Sequence, residues 1–283
     1  KLDMKKTTVP KPTRIDKQAP IGIFDSGIGG LTVADAIHKM MPQESIVYFG
    51  DTVHMPYGEK SADAIIGYAE KITDFLLSNG CKAIVIACNS ASSVAFETVK
   101  SHAAGKAIVV DVINPVVEQV SKLKKIDQVG VIGTRATIRS NAYANRITAL
   151  NPEKKVCSLA TPLLAPMIEE GFFNNKISRT IINNYLSRPK LKKIDALILA
   201  CTHYPLIRKE ISEFYKREIY IVDSAEIVAK HLQGLLKSKK LLAERKRSGS
   251  HRFFVSDLTS SFEKSTRIFF KGKVRLELRN LWR

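Results

Sequence analysis

The chain has 283 residues, 45% of them hydrophobic, and a net charge of +18. That length accommodates one or two compact domains, while the shortness of every apolar run excludes a helix of the roughly 20 apolar residues that a membrane span requires. Residues 1–18 carry six Lys/Arg against two Asp, and residues 230–283 carry fifteen against four Asp/Glu. Only +3 remains for 19–229, so the basic balance marks solvated ends rather than a nucleic-acid-binding core.

The opening stretch, KLDMKKTTVPKPTRIDKQAP, is basic, contains Pro10 and Pro12 and lacks an apolar run. It reads as a flexible arm over residues 1–18 and not as a secretory leader, which predicts a cytoplasmic protein without a membrane anchor. From residue 20 onward short β-branched runs alternate with helical stretches, the pattern of an α/β protein with mainly parallel strands. The predicted strands are Ile21–Phe24, Ser45–Gly50, Ala83–Ala87, Ala107–Val112, Gln128–Ile132, Lys155–Leu159, Ala196–Ala200 and Glu218–Val222. Helices are predicted over Ala62–Ser78 and from Met167–Glu170 into the polar region beyond. Lys237–Ser250 reads as a helix end followed by a loop.

An internal repeat organises this pattern. Residues 83–89 read AIVIACN and residues 196–202 read ALILACT, so one kind of buried strand twice ends in Ala-Cys. GIFDSGIGG (22–30) and GVIGTRATIRS (130–140) both run from an apolar strand into a turn of small and hydroxyl residues. Two similar halves would enclose one cleft at the carboxyl ends of their strands, where open α/β sheets bind ligands. Cys88 and Cys201 would then enter it from opposite walls.

That arrangement suits inversion of a carbon stereocentre, which needs a base on one face of the substrate and an acid on the other. A thiol with an ordinary pKa of about 8.5 is mostly protonated at neutral pH, so one of the pair must be shifted toward thiolate. A helix N-terminus after each strand would favour that shift. Cys81 and Cys157 read as inert fillers, and with no CxxC or zinc-type spacing all four cysteines are expected to be free thiols. Asn89, Ser90 and Ser92 follow the first cysteine, and Thr202 and His203 the second; such hydroxyls and amides can hold an amino acid's carboxylate. His203 is placed to tune Cys201 or relay its proton. Asp25 could steer a proton near Cys88, orient an ammonium, or simply cap its own turn. Gly27, Gly29 and Gly30 fit neither a dinucleotide fingerprint nor a P-loop, and read as a turn that lets backbone approach a small anion.

These stretches closely resemble the glutamate racemase family, whose members make D-glutamate for bacterial peptidoglycan. The resemblance is carried by IGIFDSGIGGLTV (21–33), VYFGDTVHMPYGEKS (47–61), IVIACNSAS (84–92), INPV (113–116), VGVIGTRATIRSNAY (129–143), TPLLAPMIEEG (161–171), LILACTHYPLI (197–207) and VDSAE (222–226), with FFVSD (253–257) as a closing strand. It implies two similar α/β domains related by a pseudo-twofold axis, residues 19–115 plus 222–283 and residues 116–221, with the active site in the cleft between them. It further implies that Cys88 and Cys201 are the catalytic thiols, with Asp25, His203 and Glu169 (or its neighbour Glu170) as auxiliary acid–base residues. By the same resemblance Asp25, Ser26, Pro56, Tyr57, Gly58, Cys88, Asn89, Ser90, Thr202 and His203 hold the substrate. No metal or cofactor is expected, nor any need for nucleic acid, and the implied assembly is a homodimer. Related aspartate racemases usually carry Glu where His203 stands. A sibling racemase acting on aspartate or a hydantoin is the nearest alternative, and a nucleic-acid-binding protein using the cationic ends is the alternative from another class.

Overall fold

The computed structural model describes residues 15–282 other than 245, 247 and 273. Most of the predicted basic arm, residues 1–14, therefore lies outside the described residues, whereas Lys17 is part of the folded body.

Ten strands are described: β1 (Ile21–Asp25), β2 (Ile46–Gly50), β3 (Ala83–Ile86), β4 (Ile108–Asp111), β5 (Gln128–Gly133), β6 (Lys155–Ala160), β7 (Ala196–Ala200), β8 (Tyr220–Val222), β9 (His251–Val255) and β10 (Leu276–Leu278). They form two parallel sheets, in the orders β10-β9-β2-β1-β3-β4 and β6-β5-β7-β8. The unbroken apolar runs IGIFD, IVYFG, AIVI and ALILA arise because helices cover both faces of these central strands, leaving no polar side. Helix Leu31–Met40 packs against helix Ser224–Ser238, and Ala62–Ser78 against Asn89–His102.

The duplicated motifs are structural equivalents. Four strands of the first sheet run β2-β1-β3-β4 and the second sheet runs β6-β5-β7-β8, which is the same order shifted by four strands. The expected two-sheet α/β architecture is thus present, and β9 and β10 extend the first sheet beyond β2.

Most predicted strand limits differ from the observed ones by one or two residues. The predicted helix beyond Met167 is instead two helices, Leu164–Glu169 and Lys176–Leu186. Gly171 (φ +79°) and Asn174 (φ +59°) break the chain there in the left-handed region. Asn175 restarts it with a capping box closed by Ser178. Strand β10 was not predicted, because KGKVRLELRN reads as a solvated charged segment. It is an edge strand with Leu276 buried and Leu278 exposed. The expected domain limit at 115/116 falls inside helix Asn114–Ser121, which packs on helices Ala142–Leu150 and Ser224–Ser238. The limit at 222 coincides with the last residue of β8.

One buried ion pair ties the sequence-distant edges together. Lys82 Nζ lies 2.6 Å from Glu44 Oε2 and donates to the carbonyls of Lys17 (2.6 Å) and Leu241 (2.8 Å), while Glu44 Oε1 accepts from the Ala243 N–H at 2.8 Å. Both side chains are almost wholly buried. Lys82→Met should lower the unfolding free energy by about 3 kcal/mol, since it strands a buried carboxylate; urea denaturation measures this directly. A second expectation concerns His251, whose pKa is lowered to about 4, first by burial and then by His38, 3.0 Å away. The folded state therefore binds fewer protons at this site than the unfolded one, so its contribution is present above the ordinary histidine pKa and is lost as pH falls toward 4. His251→Gln should flatten the fall in denaturation midpoint between pH 7 and pH 4.5.

Candidate active site

The carboxyl ends of β3 and β7 meet at a cavity lined by Ser26, Met55, Pro56, Tyr57, Gly58, Cys88, Asn89, Ser90, Thr134, Ala165, Glu169, Ala200, Cys201, Thr202 and His203. Parallel strands point all their carboxyl ends one way, so two such sheets face each other across a single cleft. Of the residues that the sequence offered for the site, Asp25, Ser92 and Glu170 do not line this cavity; Asp25 stands fully buried behind its wall.

Cys88 is the residue just before helix Asn89–His102, as the spacing predicted. Its sulfur donates to Ser26 Oγ at 3.7 Å. Burial pushes the Cys88 thiol up to about 12, with Asp25 adding to the rise; a bond from the Ala91 N–H and the Ser26 hydroxyl oppose it without prevailing. The expected helix N-terminus is present, and its Ala91 N–H works toward the thiolate, but burial shifts the thiol the other way.

Cys201 has different surroundings. No α-helix follows it directly; the chain passes through a turn into the 3₁₀ helix Tyr204–Ile207 and reaches helix Arg208–Phe214 only later. The helix-terminus expectation fails here, and His203 takes that place. His203 Nδ1 lies 3.5 Å from Cys201 Sγ and 3.5 Å from Thr202 Oγ1. On the other side of the ring, Nε2 is 2.8 Å from Glu169 Oε1, within ion-pair distance but off the line of the ring N–H. Burial alone would lower the pKa of this imidazole. Cys201 and Glu169, one at each nitrogen, outweigh it and hold the pKa well above the usual range. Glu169 is thus the carboxylate at the cavity, while Glu170 is exposed.

Asp25 Oδ2 accepts from the Gly27 and Gly30 N–H groups at 3.1 and 3.0 Å. It is the cap of its own turn, one of the readings left open by the sequence. Burial raises its pKa, opposed first by the charge of His203. Its second oxygen, Oδ1, is buried without a hydrogen-bond partner among the described residues, and the group interacts electrostatically with both Cys88 and His203.

The glycines of this turn make room for neighbouring side chains. A Cβ on Gly29 would lie 2.5 Å from the His203 ring, one on Gly30 2.5 Å from Asp25 Cβ, and one on Gly27 2.7 Å from Met55 Sδ. The Gly29 contact brings the first sheet's turn against the second sheet's histidine. Ser90, Thr134 and Thr137 form a hydroxyl cluster with separations of 2.9, 3.3 and 3.1 Å. Asn89 accepts from Tyr143 O–H at 2.7 Å through Oδ1, and its buried Nδ2 has no partner. Ser92 does not reach the cavity, because its hydroxyl donates to the Ile86 carbonyl. Cys81, buried and likewise raised to about 12, and the half-buried Cys157 lie elsewhere.

Thr134 was missed by the sequence reading, as were Met55, Ala165 and Ala200. The repeat held the signal for Thr134: aligning GIFDS with GVIGT sets Thr134 opposite Ser26. Met55, Ala165 and Ala200 carry no group that chemistry would single out.

Residues 31–232 match the family model described as Asp/Glu/Hydantoin racemase. The chain is 41% identical to the glutamate racemase of Geobacter metallireducens, over 90% of this chain and 93% of that one. It is 43% identical to that of Chlorobium phaeobacteroides, with the same coverage. Among solved structures, glutamate racemase from Francisella tularensis in complex with D-glutamate superposes with a TM-score of 0.88 at 40% identity, covering 94% of this chain and 99% of that one. With most of its length matched, this chain belongs to the Asp/Glu/hydantoin racemase family as an amino-acid isomerase of the glutamate racemase kind.

Proposed function

We propose that the chain interconverts L- and D-glutamate by a two-base proton transfer between Cys201 and Cys88, without a cofactor, and supplies D-glutamate for peptidoglycan. The observation that carries this reading is that both cysteines, delivered by equivalent strands of two sheets, line one cavity. In this reading the domains are residues 19–115 plus 222–283 and residues 116–221, supported by the division of the strands between the sheets.

In the L to D direction, the Cys201 thiolate takes the α-proton and leaves the electron pair on the α-carbon. The Cys88 thiol then delivers its own proton to the opposite face. Cys201 finishes as the thiol and Cys88 as the thiolate, and the reverse reaction begins from that state. The upward shift of the Cys88 thiol suits its part as the acid. A protonated His203 beside Cys201 supplies the counter-charge for a thiolate there and can pass protons toward Glu169. Asp25 acts from behind the wall on the charge of Cys88. Ser26, Tyr57, Gly58, Asn89, Ser90 and Thr202 line the space where the substrate's carboxylates and ammonium must sit, and the free Asn89 amide is a donor in waiting.

The cavity offers only about 30 Å³, room for a water molecule or two. Glutamate is several times larger, so the residues lining the cavity must shift to admit it. The unpaired cysteines fit the reducing cytoplasm. A homodimer completes the reading, with the exposed Leu163, Phe172 and Ile177 as apolar surface for a second copy.

Cys88→Ser and Cys201→Ser should each abolish racemisation, followed as loss of optical rotation with L-glutamate and with L-aspartate as the control. Near-normal turnover in either variant would sink the assignment. In deuterated water, label should enter the α-position of the inverted product and not the unreacted substrate. His203→Gln should lower kcat/KM by about 100-fold, the usual size of a lost acid–base contribution. Because enantiomers have equal free energy in water, the drop must be the same for L- and D-glutamate.

A further inference from the structure

Beyond the cavity wall, one buried carboxylate gathers three separate parts of the chain. Asp51, at the exit of β2, is wholly buried. Its Oδ2 accepts from Tyr57 O–H at 2.7 Å and contacts His54 Nδ1 at 2.8 Å, both from the loop that follows. Its Oδ1 accepts from Ser256 O–H at 2.8 Å, just after β9, and from the indole N–H of Trp282 at 3.1 Å. A carboxylate offers about four lone-pair sites, so these four neighbours fill it.

The aromatic surroundings reinforce the arrangement. His54 stacks on Tyr68 with ring centres 4.0 Å apart and meets Trp282 edge-on at 4.5 Å; Tyr68 meets the same indole at 5.4 Å and Tyr57 at 5.5 Å. The loop is also stitched to the β9 exit, through Thr52 to Asp257 and the Val53 N–H to Ser256. Tyr57 itself is buried and lines the substrate cavity with Pro56 and Gly58. A path of direct contacts thus runs from Trp282 through Asp51 to Tyr57.

We propose that Trp282 is a positioning residue for the substrate cavity: its indole N–H completes the cradle of Asp51, and Asp51 holds Tyr57 and the 56–58 loop in the shape that receives the amino acid. This rests on the racemase reading of the cavity. Trp282 touches neither cysteine in the contacts described, so its removal acts on binding before chemistry. Losing the N–H leaves Asp51 Oδ1 with Ser256 alone, and the loop gains freedom that substrate must remove again on binding.

The test compares Trp282→Phe, which keeps a ring but removes the donor, with the unmodified chain. KM for both enantiomers should rise about tenfold, the scale of one hydrogen bond to a charged group, with kcat changed less than about twofold and the melting temperature within a few degrees. Tyr57→Phe should raise KM as well. The double variant should fall short of the product of the two effects, because both act through Asp51. Trp282 is the one tryptophan of this sequence, so intrinsic fluorescence of the unmodified protein should change saturably on titration with D-glutamate. An unaltered KM in Trp282→Phe, independent effects in the double variant, or equal losses of kcat and stability would overturn the proposal. An unmodified chain that inverts neither enantiomer would sink the racemase reading together with this one, whereas an active chain with an unaltered Trp282→Phe sinks this one alone.

Discussion

The structure depends on one constraint: a cysteine must leave the carboxyl end of the same strand in each of two parallel sheets. Parallel strands buried on both faces have little freedom of register, because a slip would push apolar side chains into solvent or polar ones into the core. The strand that carries Cys88 and the strand that carries Cys201 are each central, paired on both sides. Their ends are therefore among the best fixed points in the molecule. The fold anchors each sulfur to a core strand, as the proposed two-base reaction requires, and leaves the loops to shape the surrounding space.

Symmetry in the strands does not extend to the electrostatics. Cys88 is set in a dry environment beside a buried carboxyl group, and Cys201 beside an imidazole that is itself held by Glu169. Ser26 and Thr134 occupy matching positions, but Asp25 corresponds to Gly133 and Ser90 to His203. An inherited scaffold thus presents two thiols alike in placement and unlike in surroundings.

Much of this was legible in the sequence, for identifiable reasons. Central parallel strands announce themselves as apolar runs bounded by turns, so their existence and position in the chain were readable from ALILA and AIVI. The twin Ala-Cys ends gave away the cleft. What the sequence did not convey was the balance of opposing terms. A helix N-terminus after Cys88 is visible in the letters, but the burial that overrides it depends on packing from distant segments. The break at Gly171 and the edge strand at Leu276 were hidden because single glycines and charged alternations are common in both helices and loops. Asp51 attracted no notice for the same reason: its partners Ser256 and Trp282 lie more than two hundred residues further along.

The near-closure of the cavity has a chemical consequence beyond catalysis. With Cys88 and Cys201 each about one-twentieth exposed, peroxide and other oxidants have little access to the sulfurs. Oxidation past the sulfenic stage is hard to reverse and proceeds through the thiolate. Enclosure therefore guards both sulfurs against over-oxidation.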